Sequence, residues 1–566
     1  MSRERRVLEA AREWLAGEVD EADHAELSEL TRRAVNGDSD AASDLADRVA
    51  GSPAFGTAGI RASLRAGPNG MNRAVVIRTT AGLAGWLRRR GTVGTVVVGH
   101  DARHGSRRFA VDAADVLCAA GFEVRVLPEP LPTPVLARAT RALGAVAGVQ
   151  LTASHNPPTD NGYKVYLAGG DPLAAPYDAE IEGAISEVGA AATVPRERGW
   201  HHYERALPEY LERVAELVGD GAGGLRVAVT ALHGVGAEPL ERALRNAGFT
   251  DTHFVAAQRR PDPDFPTVDF PNPEEPGATD AVLELARDID ADLAVALDPD
   301  ADRCALGVPT REGGWRMLRG DETGVLLGDH VLSTMDREVD PDPLVATTIV
   351  SSSMLESVAR AHGARYDETL TGFKWLMRAG DGSGGGLVYA YEEALGHCVD
   401  PDHVRDKDGI ATAVLACDLA ATLARDGTTL SERLAELEIE HGVHETEQIT
   451  VRMTDPGTRA ETMRLLRRNP PTELAGTPME TRDLLPEADV LILRDAGDEK
   501  SGRPRVVIRP SGTEPKLKCY LQTIVPVEGP ESTEGSERVS GLTAARGRAR
   551  ELLAALTSEV RSLVGS

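Results

Sequence analysis

Cysteine and aromatic side chains are scarce in this chain: 566 residues contain five cysteines, and Phe, Trp and Tyr together make up 4%. The cysteines (Cys118, Cys304, Cys398, Cys417 and Cys519) are scattered with no CxxC pair. That excludes a zinc signature and a disulfide scaffold, and leaves them as small apolar core residues in a reducing compartment. No uninterrupted apolar run is long enough to span a bilayer, and the opening segment MSRERRVLEAAREWLAGEVDEAD has no leader-type apolar stretch. A cytoplasmic location without a membrane partner is expected. Positive charge is also short, with 62 Lys and Arg against 89 Asp and Glu for a formal net charge of −27. Such a balance argues against nucleic acid as a partner, so an anionic substrate must find a local cationic pocket.

The chain is several domains long. Residues 1–50 read as a helical extension, because Val7, Leu8, Ala11, Trp14 and Leu15 recur near helical spacing among charges. From Thr95 the pattern becomes strand, helix, strand: TVVVGHD, SRRFAVDAADVLCAAG, FEVRVLP. The same grammar returns at LRVAVTALHG with EPLERALRNAG, at DADLAVALDPD, and around LVATTIVSSSMLESVARAHGA and GGLVYAYEEALG. Three α/β domains in series are expected. The proline-rich run 259–278 reads as a long ordered loop, and the acidic, glycine-containing stretch 525–541 as a flexible surface insertion before a last helix.

Three loops carry chemistry. Asp298, Asp300 and Asp302 alternate in DPDADR directly after the apolar run LAVAL, so three carboxylates leave a strand end together and can converge on one hard cation. Mg²⁺ is the natural choice. An EF-hand is excluded because position six is Arg303 rather than glycine and a strand precedes. An acidic solvated turn is the bland alternative. In TASHNPPTDNGYK (152–164), Ser154 follows a strand-like run with its hydroxyl on a loop, His155 and Asn156 can donate to oxygen anions, and Lys164 adds charge. A turn serine by itself says little. In RPSGTEPKLK (509–518), Arg509, Ser511, Gly512, Thr513 and Lys518 bring charge, hydroxyls and a freed backbone amide into one loop, a phosphate clamp without the order of a nucleotide P-loop. Smaller clusters are Glu392 and Glu393 at a strand end and Thr371, Gly372 and Lys374 in a turn; Arg61 and Arg103 lie in loops where a lone arginine is usually solvated.

Taken in order, FGTAGIR, TASHNP, DPDADR, TGFKW, EEALG and RPSGTEPKLK resemble the α-D-phosphohexomutase family over roughly residues 50–523. The resemblance implies an α/β protein of four domains around a central cleft: three α/β domains with mixed sheets and a C-terminal α+β phosphate-binding domain. The boundaries expected are 51–205, 206–318, 319–438 and 439–566, after the extension 1–50. It implies an enzyme that moves phosphate between two positions of a small phosphorylated sugar, as a monomer or homodimer, with Mg²⁺ and a sugar 1,6-bisphosphate primer. Ser154 is implied as phosphoryl carrier and metal ligand beside Asp298, Asp300 and Asp302. Arg61, Lys164 and His155 are implied near it, with His397 a candidate base and His403 its alternative. Arg303, Thr371, Gly372, Lys374, Glu392, Ala394 and the 509–518 clamp are implied to bind substrate. Glucose and mannose enzymes usually carry serine where Ala394 stands, and EEALG, FGTAGIRA and HNPPTDNGYKVY look closest to the branch containing phosphopentomutases and glucose-1,6-bisphosphate synthases. Interconversion of glucose or mannose 1- and 6-phosphates is the first expectation, a phosphopentomutase the alternative and a metal-dependent sugar phosphatase a more distant one.

Overall fold

The computed structural model describes residues 3–56, 59–219, 223–310, 313–453, 456–497, 504–511, 516–528 and 536–565. Gly512 and Thr513 of the clamp, and 529–535 of the acidic stretch, lie outside the described residues. The chain forms two compact units: Met1–Leu318 with Phe373–Met377 and Ala394–Thr422, and Arg319–Gly372 with Arg378–Glu393 and Leu423–Ser566. Among the described residues no helix is long and apolar enough to cross a membrane.

The first unit opens with three amphipathic helices, Arg3–Ala16, Glu21–Val35 and Ser39–Arg48. Asp20 and Asp38 cap the second and third by accepting backbone N–H bonds. Ala11, Leu27, Leu30, Ala41 and Leu45 form their shared core with Ala66. Asp20 also accepts from Arg108 at 2.6 Å and lies 3.5 Å from Arg73, which ties the extension to the helices that flank the first sheet.

That sheet is six-stranded and mixed, in the order Ile60–Ser63, Asp160–Leu167, Ala147–Leu151, Thr95–His100, Glu123–Val126, His201–His202. The first two pairs in this order are antiparallel and the other three parallel. Its central strands are apolar on both faces because helices cover both, as the continuous runs TVVV and AGVQL require. The second sheet runs Trp315–Met317, Cys304–Pro309, Leu293–Leu297, Arg226–Thr230, Asp251–Phe254, with every residue of Leu293–Leu297 buried. Residues 259–278 contain neither helix nor strand, consistent with their prolines.

In the second unit, Arg365–Thr369, Leu344–Thr348 and Leu387–Glu392 pair in parallel in that order. A second sheet runs Val443–Arg452, Lys516–Val525, Arg505–Pro510, Leu491–Asp495, Thr477–Asp483, Glu473–Leu474, with antiparallel pairing throughout. Leu553, Leu556, Val560 and Val564 of the last helix fill its core. That helix is Ser536–Val564, so it begins inside the stretch expected to be a flexible insertion. Polar composition does not prevent a helix whose later turns have an apolar face to bury.

Candidate active site

The candidate site of the first unit forms where the two sheets contribute loops from strand ends. Arg61 and Lys164 come from adjacent antiparallel strands, with Arg61 opposite Gly162 and Lys164 opposite Gln150. Ser154 follows the end of Ala147–Leu151 and the three aspartates follow the end of Leu293–Leu297. All four of these acidic and hydroxyl side chains are buried, none more than 1% exposed.

Ser154 sits at φ 54°, in the left-handed region that a side-chain-bearing residue enters only under constraint. The constraint is visible. Its N–H donates to Thr152 Oγ1 at 2.9 Å, and Arg103 Nη2 donates to its carbonyl at 2.7 Å. Arg103 also donates to the carbonyls of Asn156 at 2.5 Å and Pro157 at 2.7 Å, while its guanidinium lies 4.9 Å from the Phe265 ring. The expectation of a solvated arginine fails here: Arg103 is 4% exposed and is the frame around which the serine loop folds. Asn156 is committed too, accepting from Arg61 Nη1 at 3.2 Å and donating to Asp160 at 3.0 Å, so it holds the loop rather than an oxygen anion.

So constrained, the serine hydroxyl donates to Asp298 Oδ2 at 3.0 Å and lies 3.3 Å from His155 Nδ1. Burial, reinforced by Arg303 and Arg61, holds the His155 ring well below its usual pKa and therefore neutral. One carboxylate oxygen from each of Asp298, Asp300 and Asp302 lies within 4.8 Å of the other two. Asp298 has both oxygens engaged by the protein, Asp300 and Asp302 one each. Asp298 Oδ1 accepts from the Arg303 N–H at 3.0 Å, Asp300 Oδ2 from Lys164 Nζ at 2.7 Å and Thr133 Oγ1 at 2.6 Å, and Asp302 Oδ2 from Lys164 Nζ at 2.9 Å. Oδ1 of Asp300 and Oδ1 of Asp302 are buried with no hydrogen-bond partner among the described residues. An all-oxygen donor set with two orphaned buried anionic atoms fits a hard divalent cation.

The charge balance agrees. Burial and the two neighbouring carboxylates push Asp298 well above the usual carboxylate range. Burial acts the same way on Asp300 and Asp302, but Lys164 overrides it in both, helped at Asp302 by Lys407, whose Nζ is 3.4 Å away. A bound cation would oppose the upward shift at Asp298 and favour its ionised form. Lys407 and Thr133 carry no motif signal of their own.

His397 lies in the strand Gly396–Cys398, which runs along the exit of the acidic loop: Arg303 bridges to Gly396, and Cys304 N–H donates to the Leu395 carbonyl at 3.1 Å. It is 1% exposed, and desolvation pulls its pKa down to about 3, so it stays neutral. His403 sits instead 3.0 Å from Asp400, with 40% of its side chain exposed. Arg303 Nη1 donates to Glu274 at 3.1 Å. Lys374 is the second residue of the short helix Phe373–Leu376 and stands over the Trp375 ring at 5.7 Å; Ala394 is partly buried.

The remaining candidates belong to the second unit. Gly372 turns the chain at φ 108° after Thr371. Arg509 and Lys518 are cross-strand neighbours, and Ser511 is fixed by its N–H to Lys516 O at 2.8 Å and by Arg459 Nη1 on its carbonyl at 2.7 Å. Glu392 ends its strand partly exposed, whereas Glu393 accepts from Ser351 Oγ at 3.1 Å and Thr348 Oγ1 at 3.3 Å. Burial, with the charges of Glu392 and Asp321, raises Glu393 to about 7. A carboxyl whose folded pKa is raised contributes stability that is fully present below its ordinary pKa near 4.5 and lost as pH rises through about 7. Urea unfolding between pH 5 and 8 is expected to show stability falling by up to about 1.4 kcal/mol per pH unit from this group, and Glu393→Gln is expected to flatten that slope. An unchanged slope would remove Glu393 as its source.

A serine pinned against a buried acidic triad on an α/β frame defines the class: an enzyme that handles phosphoryl groups with a cation. Three family descriptions match the chain: phosphoglucomutase/phosphomannomutase alpha/beta/alpha domain I over residues 52–191, domain II over 208–313 and domain III over 319–439. The chain is 39% identical over 462 residues, 80% of itself and 93% of the relative, to a Haemophilus influenzae protein described as a "probable phosphomannomutase". It is 32% identical to the phosphopentomutase of Mus musculus, covering 83% of this chain and 84% of that one, and 32% identical to a Staphylococcus aureus phosphoglucomutase, covering 83% and 90%. A solved phosphoglucomutase from Paramecium shares the fold at a TM-score of 0.66 and 16% identity, covering 91% of this chain and 97% of that one. The chain belongs to the phosphoglucomutase/phosphomannomutase family and is a phosphosugar mutase, an isomerase.

Proposed function

We propose that this mutase interconverts the 1-phosphate and 6-phosphate of glucose, mannose or both, with Ser154 as phosphoryl carrier and Mg²⁺ at Asp298, Asp300 and Asp302. The observation that carries the reading is the buried Ser154 hydroxyl 3.0 Å from Asp298, at the edge of a triad with orphaned oxygens. In the first half-reaction a sugar hydroxyl oxygen forms a bond to the phosphorus as the P–Oγ bond of phosphoserine breaks; the proton lost by the hydroxyl ends on Ser154. The second half-reaction runs this in reverse with the other phosphate of the bisphosphate intermediate, so the sum is an isomerisation. The cation supplies charge neutralisation at the transferring group.

Arg61, Lys164 and Arg303 would offset the −1.5 to −2 charges that phosphoserine brings near neutral pH. Neutral His155 suits proton passage at Ser154, and His397, held neutral by its burial, is the second candidate for a proton role. By the family resemblance, Thr371, Gly372, Lys374, Glu392 and Ala394 are each proposed as sugar-binding residues, and Arg509, Ser511, Gly512, Thr513 and Lys518 as the clamp for the phosphate that does not react. A sugar 1,6-bisphosphate would phosphorylate Ser154 initially. The hexose choice is supported by the relative at 39% identity. The pentose reading is favoured by Ala394, a methyl where hexose enzymes usually offer a hydroxyl, and by the phosphopentomutase relative.

A coupled assay with glucose, mannose, ribose and deoxyribose 1-phosphates, each with Mg²⁺ and a bisphosphate primer, is expected to give the highest kcat/KM with a hexose. A pentose preference of tenfold or more, about 1.4 kcal/mol in transition-state binding, would replace the first reading by the second. Phosphate release without isomerisation would point to a phosphatase.

A further inference from the structure

The acidic loop is not held by its internal bonds alone, Ala301 N–H to the Asp298 carbonyl at 2.9 Å and Arg303 N–H to Asp298 Oδ1 at 3.0 Å. The carbonyls of three consecutive residues, Pro299, Asp300 and Ala301, accept backbone N–H bonds from Val235 at 2.8 Å, Thr133 at 3.0 Å and Gly409 at 3.1 Å. These donors come from segments remote from one another in sequence. Two of the approaches exclude any side chain: a Cβ on Gly234 would stand 2.3 Å from Pro299 Cα, and one on Gly409 2.5 Å from Arg303 O. Ala301 takes φ 53° between them, a conformation the loop does not choose unaided.

Thr133 adds something the other two cannot. It opens the helix Thr133–Ala142, and its backbone N–H and its Oγ1 both bond Asp300, the first on the carbonyl and the second on Oδ2 at 2.6 Å. With Oδ2 so engaged, the same carboxylate presents Oδ1, which is buried and has no donor among the described residues. Lys164 also reaches Oδ2, but its ammonium is shared with Asp302 and is a rotating point charge. The threonine is 0% exposed and stiff at χ1, so its hydroxyl fixes the plane of the carboxylate. The positive end of its helix favours the ionised form of that same group.

We propose that Thr133 is a positioning residue for the metal centre: by holding Asp300 Oδ2 it selects Oδ1 as the ligand atom and sets its direction. This rests on the reading of the three aspartates as metal ligands. Partners of this kind, which orient a ligand from behind, typically change metal affinity 10- to 100-fold when removed.

The test is Mn²⁺ binding to the unphosphorylated full-length protein, followed by EPR of the free ion, for wild type, Thr133→Val, Thr133→Ser and Asp300→Asn, with the thermal midpoint of each metal-free protein recorded alongside. Thr133→Val is expected to weaken Mn²⁺ binding roughly 10- to 100-fold, and Thr133→Ser, which restores the hydroxyl, to stay within about threefold of wild type. Should Thr133→Val fail to fold, Thr133→Ala against Thr133→Ser gives the same comparison. Wild-type affinity in Thr133→Val, or equal affinities in the alanine and serine variants, overturns the proposal while Asp300→Asn still reports the aspartates as ligands. Absence of saturable Mn²⁺ binding in wild type overturns both.

Discussion

Ser154→Ala is expected to lower mutase turnover by roughly 10⁵-fold or more, because the group that carries the phosphoryl between half-reactions is gone and no other hydroxyl takes its place at Asp298. Folding should survive. The substitution removes one buried hydrogen bond, from Oγ to Asp298 at 3.0 Å, worth about 1 kcal/mol, while Asp298 Oδ1 keeps its bond from the Arg303 N–H. Both quantities are measurable together, turnover in the coupled assay and stability by urea unfolding. Intact-mass measurement after incubation with a bisphosphate should also show one phosphate on wild type and none on the variant. Near-normal turnover in Ser154→Ala would end the phosphoserine mechanism. Loss of turnover with phosphate still attached would move the carrier elsewhere.

Lys164→Met should damage the protein as well as its activity. Lys164 lies 2.7 Å from Asp300 and 2.9 Å from Asp302, with 11% of its side chain exposed, and it is the charge that keeps both carboxylates ionised against their burial. Removing one member of such a buried group strands the others, at a typical cost of about 3 to 5 kcal/mol. Asp300 and Asp302 would then take up protons, so the metal-free variant should be most stable at low pH and weaken as pH rises through their raised pKa values. Added Mg²⁺ should restore more stability to the variant than it adds to wild type, since the ion replaces the missing charge. Turnover should fall by roughly 10³-fold, in line with losing a preorganised electrostatic group. Unfolding free energies within about 1 kcal/mol of each other would show that Lys164 is not what neutralises the triad.

How much of the site can be read from residue order depends on the range of the interaction involved. The acidic loop is legible because LAVAL must be buried and the carboxylates alternate straight after it; both facts are local. Ser154 is legible only through its neighbours, and its left-handed backbone is not, because the cause is Arg103, some fifty positions earlier. Arg103 itself has the look of a surface arginine. Its partners are backbone carbonyls of the serine loop, and a carbonyl leaves no mark in a sequence. Thr133 is invisible for a similar reason, being a threonine at the start of an ordinary helix whose importance lies in an aspartate on another sheet. Asn156 has the chemistry of an anion donor, yet both ends of its amide are occupied within the loop. The helix starting at Ser536 is obscured by its polar first turns, which composition alone assigns to a flexible stretch.

The order in which the site residues occur along the chain has a consequence during synthesis. Arg61, Arg103, Thr133, Ser154 and Lys164 all leave the ribosome before Asp298, and Lys407 leaves after it. At about 5–20 residues per second the cationic half waits on the order of ten seconds for its acids. During that interval the first sheet can form, but its buried cations have no counter-charge and its serine loop lacks the acceptor for Oγ. A nascent chain stalled before residue 298 is therefore expected to expose this surface to proteases and chaperones, and to gain protection once the LAVAL strand and its aspartates have emerged.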